Sequence, residues 1–250
     1  MQKHSALKFS VGRTPSLFVG TSGWLYSWNP NGFKWYVRNS KLNAVELNAS
    51  FYRFPFPSQV KSWALRSPPN FRWSIKVSRW ITHIYKFSDK ALKTWIKFER
   101  LFEPLRDKID FYLFQLPPTA VPTRNFTAKL EKFIKSVNLG EKFALEWRNR
   151  QWVCEKWINW CRDFEVTLVS VDSPEMRLYA RTGSSIYLRM HGRTAWYAHN
   201  YSDEELIEVA EEVLKLQADR IYIFFNNDHD MLSNARRMAE LIGRKMRGKI

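Results

Sequence analysis

Apolar residues rich in Val, Ile, Phe and Tyr gather in eight short runs bounded by polar or turn residues, at 17–21, 43–47, 71–76, 110–114, 142–146, 165–171, 185–190 and 220–225. Runs of that length and composition predict β-strands. Between them apolar positions recur every three to four residues, which predicts helices over 58–66, 88–106, 124–137, 151–163, 203–217 and 231–247. Ser202 with Glu205 three residues on is a capping box, opening the helix that carries Leu206, Val209, Val213 and Leu216. Two connections are weaker. Residues 33–41 are few and include Val37 and Asn39, and residues 173–183 meet Pro174 early, so helices after the first and sixth strands are expected to be weak or missing.

Alternation of eight strands with helices predicts an α/β chain folded as a TIM (β/α)8 barrel, one domain over residues 17–250 behind an N-terminal extension at 1–16. An open doubly wound sheet is the competing architecture. The count of eight favours closure, as does the lack of a glycine-rich dinucleotide loop after any strand.

With 45% hydrophobic residues the chain has the means to build a large core, which excludes a disordered or low-complexity protein. Cys154 and Cys161, seven residues apart in one predicted helix, suit neither a zinc knuckle nor a redox pair and read as packing residues. No run has the length of a signal peptide or membrane span, so a soluble cytoplasmic protein is expected. Forty Lys and Arg against 24 Asp and Glu leave a charge of +16, which bears on partners rather than on fold. Lys86, Lys90, Lys93 and Lys97 recur at helical spacing, and Arg236, Arg237, Arg244, Lys245, Arg247 and Lys249 crowd the last helix. Solvated helix faces and a nucleic-acid stripe both account for such clusters.

In a parallel barrel the chemistry collects where strands end. Here the strands end in Ser22-Gly23-Trp24, in Glu46 and Asn48, in Lys76, in Gln115, in Glu146 and Arg148, in Asp172, in Arg189 and His191, and in Asn226, Asn227 and Asp228. Side chains alternate along a strand, so Glu46 shares a face with Asn48, Glu146 with Arg148, and Arg189 with His191. The acids are candidates both for structural ion pairs and for general acid/base work tuned by neighbouring cations. Trp24, Trp28, Tyr52 and Trp196 lie in loops just past strands, where an aromatic ring either stacks on a base or sugar or packs the rim. Neither an H-E-x-x-H motif, a G-x-S-x-G elbow nor a P-loop is present. Glu46, Glu146, Asp172 and His191 could still converge on a divalent metal ion, although no local spacing specifies one.

The blocks VGTSGWLYSW, VELNASFYRFP, FRWSIKVSRWITH, FQLPP, ALEWRNRQW, LRMHG with YAHNYSDEEL, and YIFFNND follow one another between Phe18 and Leu241. In content and order they resemble the domain-of-unknown-function 72 family, the YecE-like proteins. That resemblance implies a TIM barrel and places the family's characteristic polar residues on Gly23 and Trp24, Glu46, Asn48, Tyr52, Lys76, His83, Gln115, Glu146, Arg148, Arg189, His191 and Gly192, Tyr201, Asn226 and Asn227. The chain departs from the family pattern in a contracted stretch between Trp28 and Leu42, and in Met231 and Leu232 where smaller residues are usual.

The expected function is a phosphate-handling hydrolase of the phosphodiesterase or nuclease-like kind. Its catalytic groups would be Glu46, Glu146, His191 and Lys76. Substrate would be bound by Trp24, Asn48, Tyr52, His83, Gln115, Arg148, Arg189, Tyr201, Asn226 and Asn227, with a nucleic acid or phosphorylated small molecule as partner. Two other readings stay open: an enzyme of sugar or sugar-phosphate metabolism, and a module that binds nucleic acid or a small anion without turnover.

Overall fold

The computed structural model describes residues 14–248. Of the expected extension, residues 1–13 lie outside them. The elements run β1 (Ser16–Thr21), α1 (Gly32–Asn39), β2 (Ala44–Leu47), α2 (Pro57–Arg66), β3 (Arg72–Lys76), α3 (Asp89–Leu101), β4 (Ile109–Gln115), α4 (Arg124–Val137), β5 (Phe143–Glu146), α5 (Glu155–Asp163), β6 (Thr167–Asp172), β7 (Arg177–Leu178), β8 (Ser185–Met190), α6 (Asp203–Lys215), β9 (Arg220–Phe225) and α7 (Met231–Met246). Eight of the strands are parallel neighbours in the order β1-β9-β8-β6-β5-β4-β3-β2. They form the nearly closed TIM barrel that the spacing predicts, with helices outside.

Closure falls on the seam between β1 and β2, and side chains do most of it. One parallel bridge joins Ser22 to Glu46. Beside it, the Asn43 carboxamide replaces a peptide group: its Oδ1 accepts from Val19 N (2.9 Å) and its Nδ2 donates to Leu17 O (2.8 Å). The Tyr36 hydroxyl fills the next gap, accepting from Thr21 N (3.1 Å) and donating to Ala44 O (2.9 Å). At Gly20 the strands come so close that a Cβ would stand 2.3 Å from Ala44 O, so no other residue fits there.

Alternation along the strands separates two cores. Ala44, Phe111, Leu113, Ala144, Val169, Val171, Tyr187, Tyr222 and Phe224 fill the barrel, while residues of opposite parity such as Ile186, Leu188 and Met190 pack under the helices. Helix α6 starts at the capping box the sequence announces, with Ser202 Oγ accepting from Glu205 N (3.3 Å) and Glu205 Oε2 accepting from Ser202 N (2.9 Å).

Both weak connections resolve, in different ways. After β1 the contracted stretch still makes an eight-residue helix, because Phe33 and Tyr36 bury against the aromatic cluster of Phe71 and Trp73. After β6 there is no helix: Pro174 sits in a tight turn, and β7 folds back antiparallel on β6. Met231 and Leu232 are accommodated as buried residues of the first turn of α7. Cys154 does not belong to α5 but precedes it and is exposed, whereas Cys161 is buried. Of the basic cluster near the end of the chain, Lys249 lies outside the described residues, while Arg237 pairs with Asp203 and Glu240, Arg244 with Glu240 and Lys245 with Glu211. Arg236 donates to the carbonyls of Asn39 and Ser40 at the end of α1. No helix among the described residues is long and apolar enough to cross a membrane.

Candidate active site at the barrel mouth

Arg189 stands at the centre of the mouth, fully buried. Its Nε and Nη2 donate to Glu46 Oε2 (2.9 Å) and Oε1 (2.7 Å), and its Nη1 donates to Glu146 Oε2 (2.6 Å). Glu46 also accepts from Ser22 Oγ (2.6 Å) and Tyr187 OH (2.6 Å), so each of its oxygens carries two hydrogen bonds. Glu146 Oε1 accepts from Arg148 Nη2 (2.8 Å) and His191 Nε2 (3.2 Å). Burial alone would raise the Glu146 carboxyl, but Arg148 and Arg189 outweigh it and hold it well below the usual carboxylate range. Burial lowers Arg189 while Glu146 and Glu46 raise it, and the carboxylates prevail. This floor is a charge-balanced, hydrogen-bonded unit.

His191 belongs to the same unit as a neutral imidazole. Burial and the Arg189 charge push it down to about 3. The ring sits with Nε2 3.2 Å from Glu146 Oε1 and 3.4 Å from Arg148 Nη2, and with Nδ1 3.3 Å from Asn226 Nδ2. Arg148 reaches Gln115 Oε1 (3.3 Å) with Nη2 and lies 4.7 Å from the centroid of the Trp196 ring that covers it. Its Nε is buried without a partner.

Lys76 is different. It ends β3 only 6% exposed, yet among the described residues its Nζ makes no hydrogen bond and has no carboxylate within 4.0 Å. Instead the ammonium sits 4.4 Å above the Phe51 ring. Burial, then the Arg189 charge, pull it down to about 7. The His83 ring meets Phe51 edge to face, with ring centroids 5.0 Å apart. It is carried there by a wide helical turn over Trp80–Ile84, closed by Tyr85 N donating to Trp80 O (2.9 Å); such i→i+5 turns are rare and concentrate at functional sites. Burial and the nearby Lys76 charge lower His83 to about 4.

A cleft of about 260 Å³ opens beside the cationic side of the mouth, between the loops that follow β1 and β2, and is lined by Ser22, Trp24, Tyr26, Leu47, Asn48 and Tyr52, among others.

The family profile described as "Protein of unknown function DUF72" matches residues 18–249. The chain belongs to the DUF72 family. Within it, the chain is 24% identical over 267 aligned residues to the UPF0759 protein YunF of Bacillus subtilis (strain 168), spanning 90% of this chain and 94% of that protein. Solved DUF72 structures share the fold: one from Enterococcus faecalis V583 superposes with a TM-score of 0.79 at 22% identity, over 91% of this chain and 95% of that one. Another, from Thermotoga maritima MSB8, has a TM-score of 0.78 at 24% identity, over 91% and 99%.

This DUF72 barrel brings Glu46, Gln115, Glu146, Arg148, Arg189, His191 and Asn226 into one connected network, sets Lys76 and His83 beside it, and places Asn48, Tyr52 and an edge of Trp24 in the adjoining cleft. Trp24 otherwise packs among Phe33, Trp63 and Trp73. Three of the sequence candidates lie outside the mouth. Asp172 has the opposite parity to Val171, which faces the interior; it points outward, bound by Tyr179, Arg193 and Tyr201. Tyr201 spends its hydroxyl on Asp172 Oδ1 (2.8 Å) and Gly192 N (2.9 Å). Asn227, one residue past Asn226, also turns outward, donating to Asn234 Oδ1 (2.8 Å) and His199 O (2.7 Å). These three anchor the loop that holds Trp196 over Arg148.

The convergence of Glu46, Glu146, Asp172 and His191 on a divalent ion is not what the geometry provides. Arg189 lies between the two glutamates, Asp172 faces away, and among the described residues no group of three or more His, Cys, Asp and Glu is assembled to hold a metal. Two participants escaped the sequence reading. Tyr187 shares the face of Arg189, and parity alone could have flagged it. Phe51, the platform under Lys76, leaves no signal in the sequence.

Proposed function

We propose that this DUF72 protein is an enzyme that binds a small phosphate-bearing substrate at the barrel mouth and moves a proton with Lys76. The observation that carries this reading is Lys76 itself, a buried amine with no carboxylate within 4.0 Å among the described residues, beside a network in which Arg189 and Arg148 are paired with Glu46 and Glu146. An amine titrating near 7 is available at neutral pH as both base and acid, the condition under which general catalysis works best. Arg148, with an unused Nε and an aromatic cover, supplies a second donor for an anion. The hydrolase reading in its metal-dependent, two-carboxylate form loses support, since the oxygens of Glu46 and Glu146 are taken up by donors within the protein. Glu46 and Glu146 serve here as positioning residues that keep Arg189 and His191 in place.

Amine-selective acylation read by mass spectrometry tests this. Lys76 labelling is expected to rise with a midpoint near pH 7, well below that of exposed lysines, and to be suppressed by inorganic phosphate or ribose 5-phosphate. In a panel of phosphate monoesters, Lys76→Met is expected to abolish turnover, and Lys76→Arg to retain binding without turnover. Labelling like that of a surface lysine, or indifference to phosphate, overturns the proposal.

A further inference from the structure

The cleft next to the mouth is divided from Lys76 by a single turn of chain. Ser50 Oγ donates to the Lys76 carbonyl (2.6 Å), Phe51 lies under the Lys76 ammonium, and the residues flanking that pair, Ala49 and Tyr52, line the cleft on the other side. Residues 49–52 thus have the cleft on one side and the Lys76 ammonium on the other.

The two compartments have contrasting chemistry. The Lys76 side is cationic and short of anions. The cleft is mainly apolar, with Trp24, Tyr26, Leu47 and Tyr52 presenting faces or edges suited to a flat ring. Tyr52 is 65% exposed and Leu25, at the cleft edge, 78%, so this apolar surface is left uncovered by the protein. Of its polar groups, the Ser22 and Tyr26 hydroxyls are committed to Glu46 and to the Ser22 carbonyl, whereas Asn48 has its Oδ1 buried without a partner. Its Nδ2 makes no hydrogen bond among the described residues either. A free carboxamide offers an acceptor and a donor side by side, the arrangement that pairs with the edge of a nucleobase. Asn48 Oδ1 is already desolvated and unpaired, so a ligand that brings it a donor relieves a standing cost, whereas an alkyl or phenyl group leaves that cost in place.

We propose that the ligand is a nucleotide, with its base in the cleft against Tyr52 and Asn48 and its phosphate at Lys76 and Arg148. This rests on the anion-binding reading above and adds the substrate class. The net charge of +16 favours polyanions at long range, so the nucleotide is either free or the terminus of a nucleic-acid strand.

Calorimetric titration at fixed salt distinguishes these statements. Ribose 5-phosphate probes the anion site alone, AMP and UMP probe both compartments, and a 5′-phosphorylated hexanucleotide separates strand end from free nucleotide. At least one mononucleotide or the hexanucleotide is expected to bind tenfold or more tightly than ribose 5-phosphate. Tyr52→Ala, at an exposed position, and Asn48→Leu are each expected to reduce that advantage several-fold while leaving ribose 5-phosphate binding unchanged. Binding of ribose 5-phosphate with no advantage for any nucleotide, or an advantage indifferent to both substitutions, overturns the nucleotide assignment and leaves the anion site standing. Absence of binding by every probe overturns both.

Discussion

The floor of the barrel mouth and the ledge formed by β2, β3 and the turn after β2 use buried cations in opposite ways. On the floor, Arg189 spends three nitrogens on two carboxylates, and those carboxylates are in turn filled by Ser22, Tyr187, Arg148 and His191. On the ledge, Lys76 has an aromatic ring below it and no hydrogen-bond partner among the described residues, and Asn48 retains an orphaned oxygen. A satisfied network makes a rigid support, while an unpaired polar group beside an opening is a cost that a ligand can relieve. The contrast assigns structure to the floor and chemistry to the ledge.

The strongest way to break that division is Arg189→Met. It leaves Glu46 and Glu146 buried with no shared cation, and uncompensated buried charge of this kind costs about 3–5 kcal/mol. The expected result, read by chemical denaturation, is a large loss of stability or of soluble protein. A mild effect would mean that the floor is not the support described.

Lys76→Met should move stability the other way. In the unfolded chain a lysine titrates near 10.4, whereas folded Lys76 titrates at about 7. As pH falls between those values the unfolded state takes up a proton that the folded state refuses, so the wild type loses stability, and the penalty is complete below pH 7. The variant is therefore expected to be more stable at pH 7 by about 4 kcal/mol, with the gap closing toward pH 10. Denaturation midpoints across that pH range check it, and a gap that does not depend on pH would count against an uncompensated amine.

Trp196→Ala is the finest probe. Its ring covers Arg148, a contact worth about 1 kcal/mol, and it rides on the loop anchored by Asp172 and Tyr201. A few-fold weaker affinity for ribose 5-phosphate with little change in stability is expected; the reverse pattern would make the tryptophan part of the support.

The eight parallel strands were legible because each carries a short β-branched or aromatic run, and the strand-end polar residues because parity and topology together send Glu46, Lys76, Glu146, Arg189 and His191 to one opening. Asp172 shows the limit of that logic. Position at a strand end does not give parity, and its immediate neighbour Val171 is the residue that faces inward. The helix after β1 was obscured for a different reason, since Phe33 and Tyr36 gain their helical shape from packing on residues 35 or more positions away, Phe71 among them. Nothing local could reveal β7, which exists only as a partner of β6, nor the emptiness around the Lys76 ammonium, which depends on where every carboxylate of the mouth is directed.

Strand β1 pairs in register with β9, from Ser16 against Arg220 to Thr21 against Phe225, and meets β2 mainly through Asn43 and Tyr36. Of the barrel strands, β1 therefore lacks its full ladder until β9 has been synthesised. Ring closure is then a late event in biogenesis, and a chain halted before residue 220 leaves β1 and β8 as open edges where the finished barrel wall holds β9 between them.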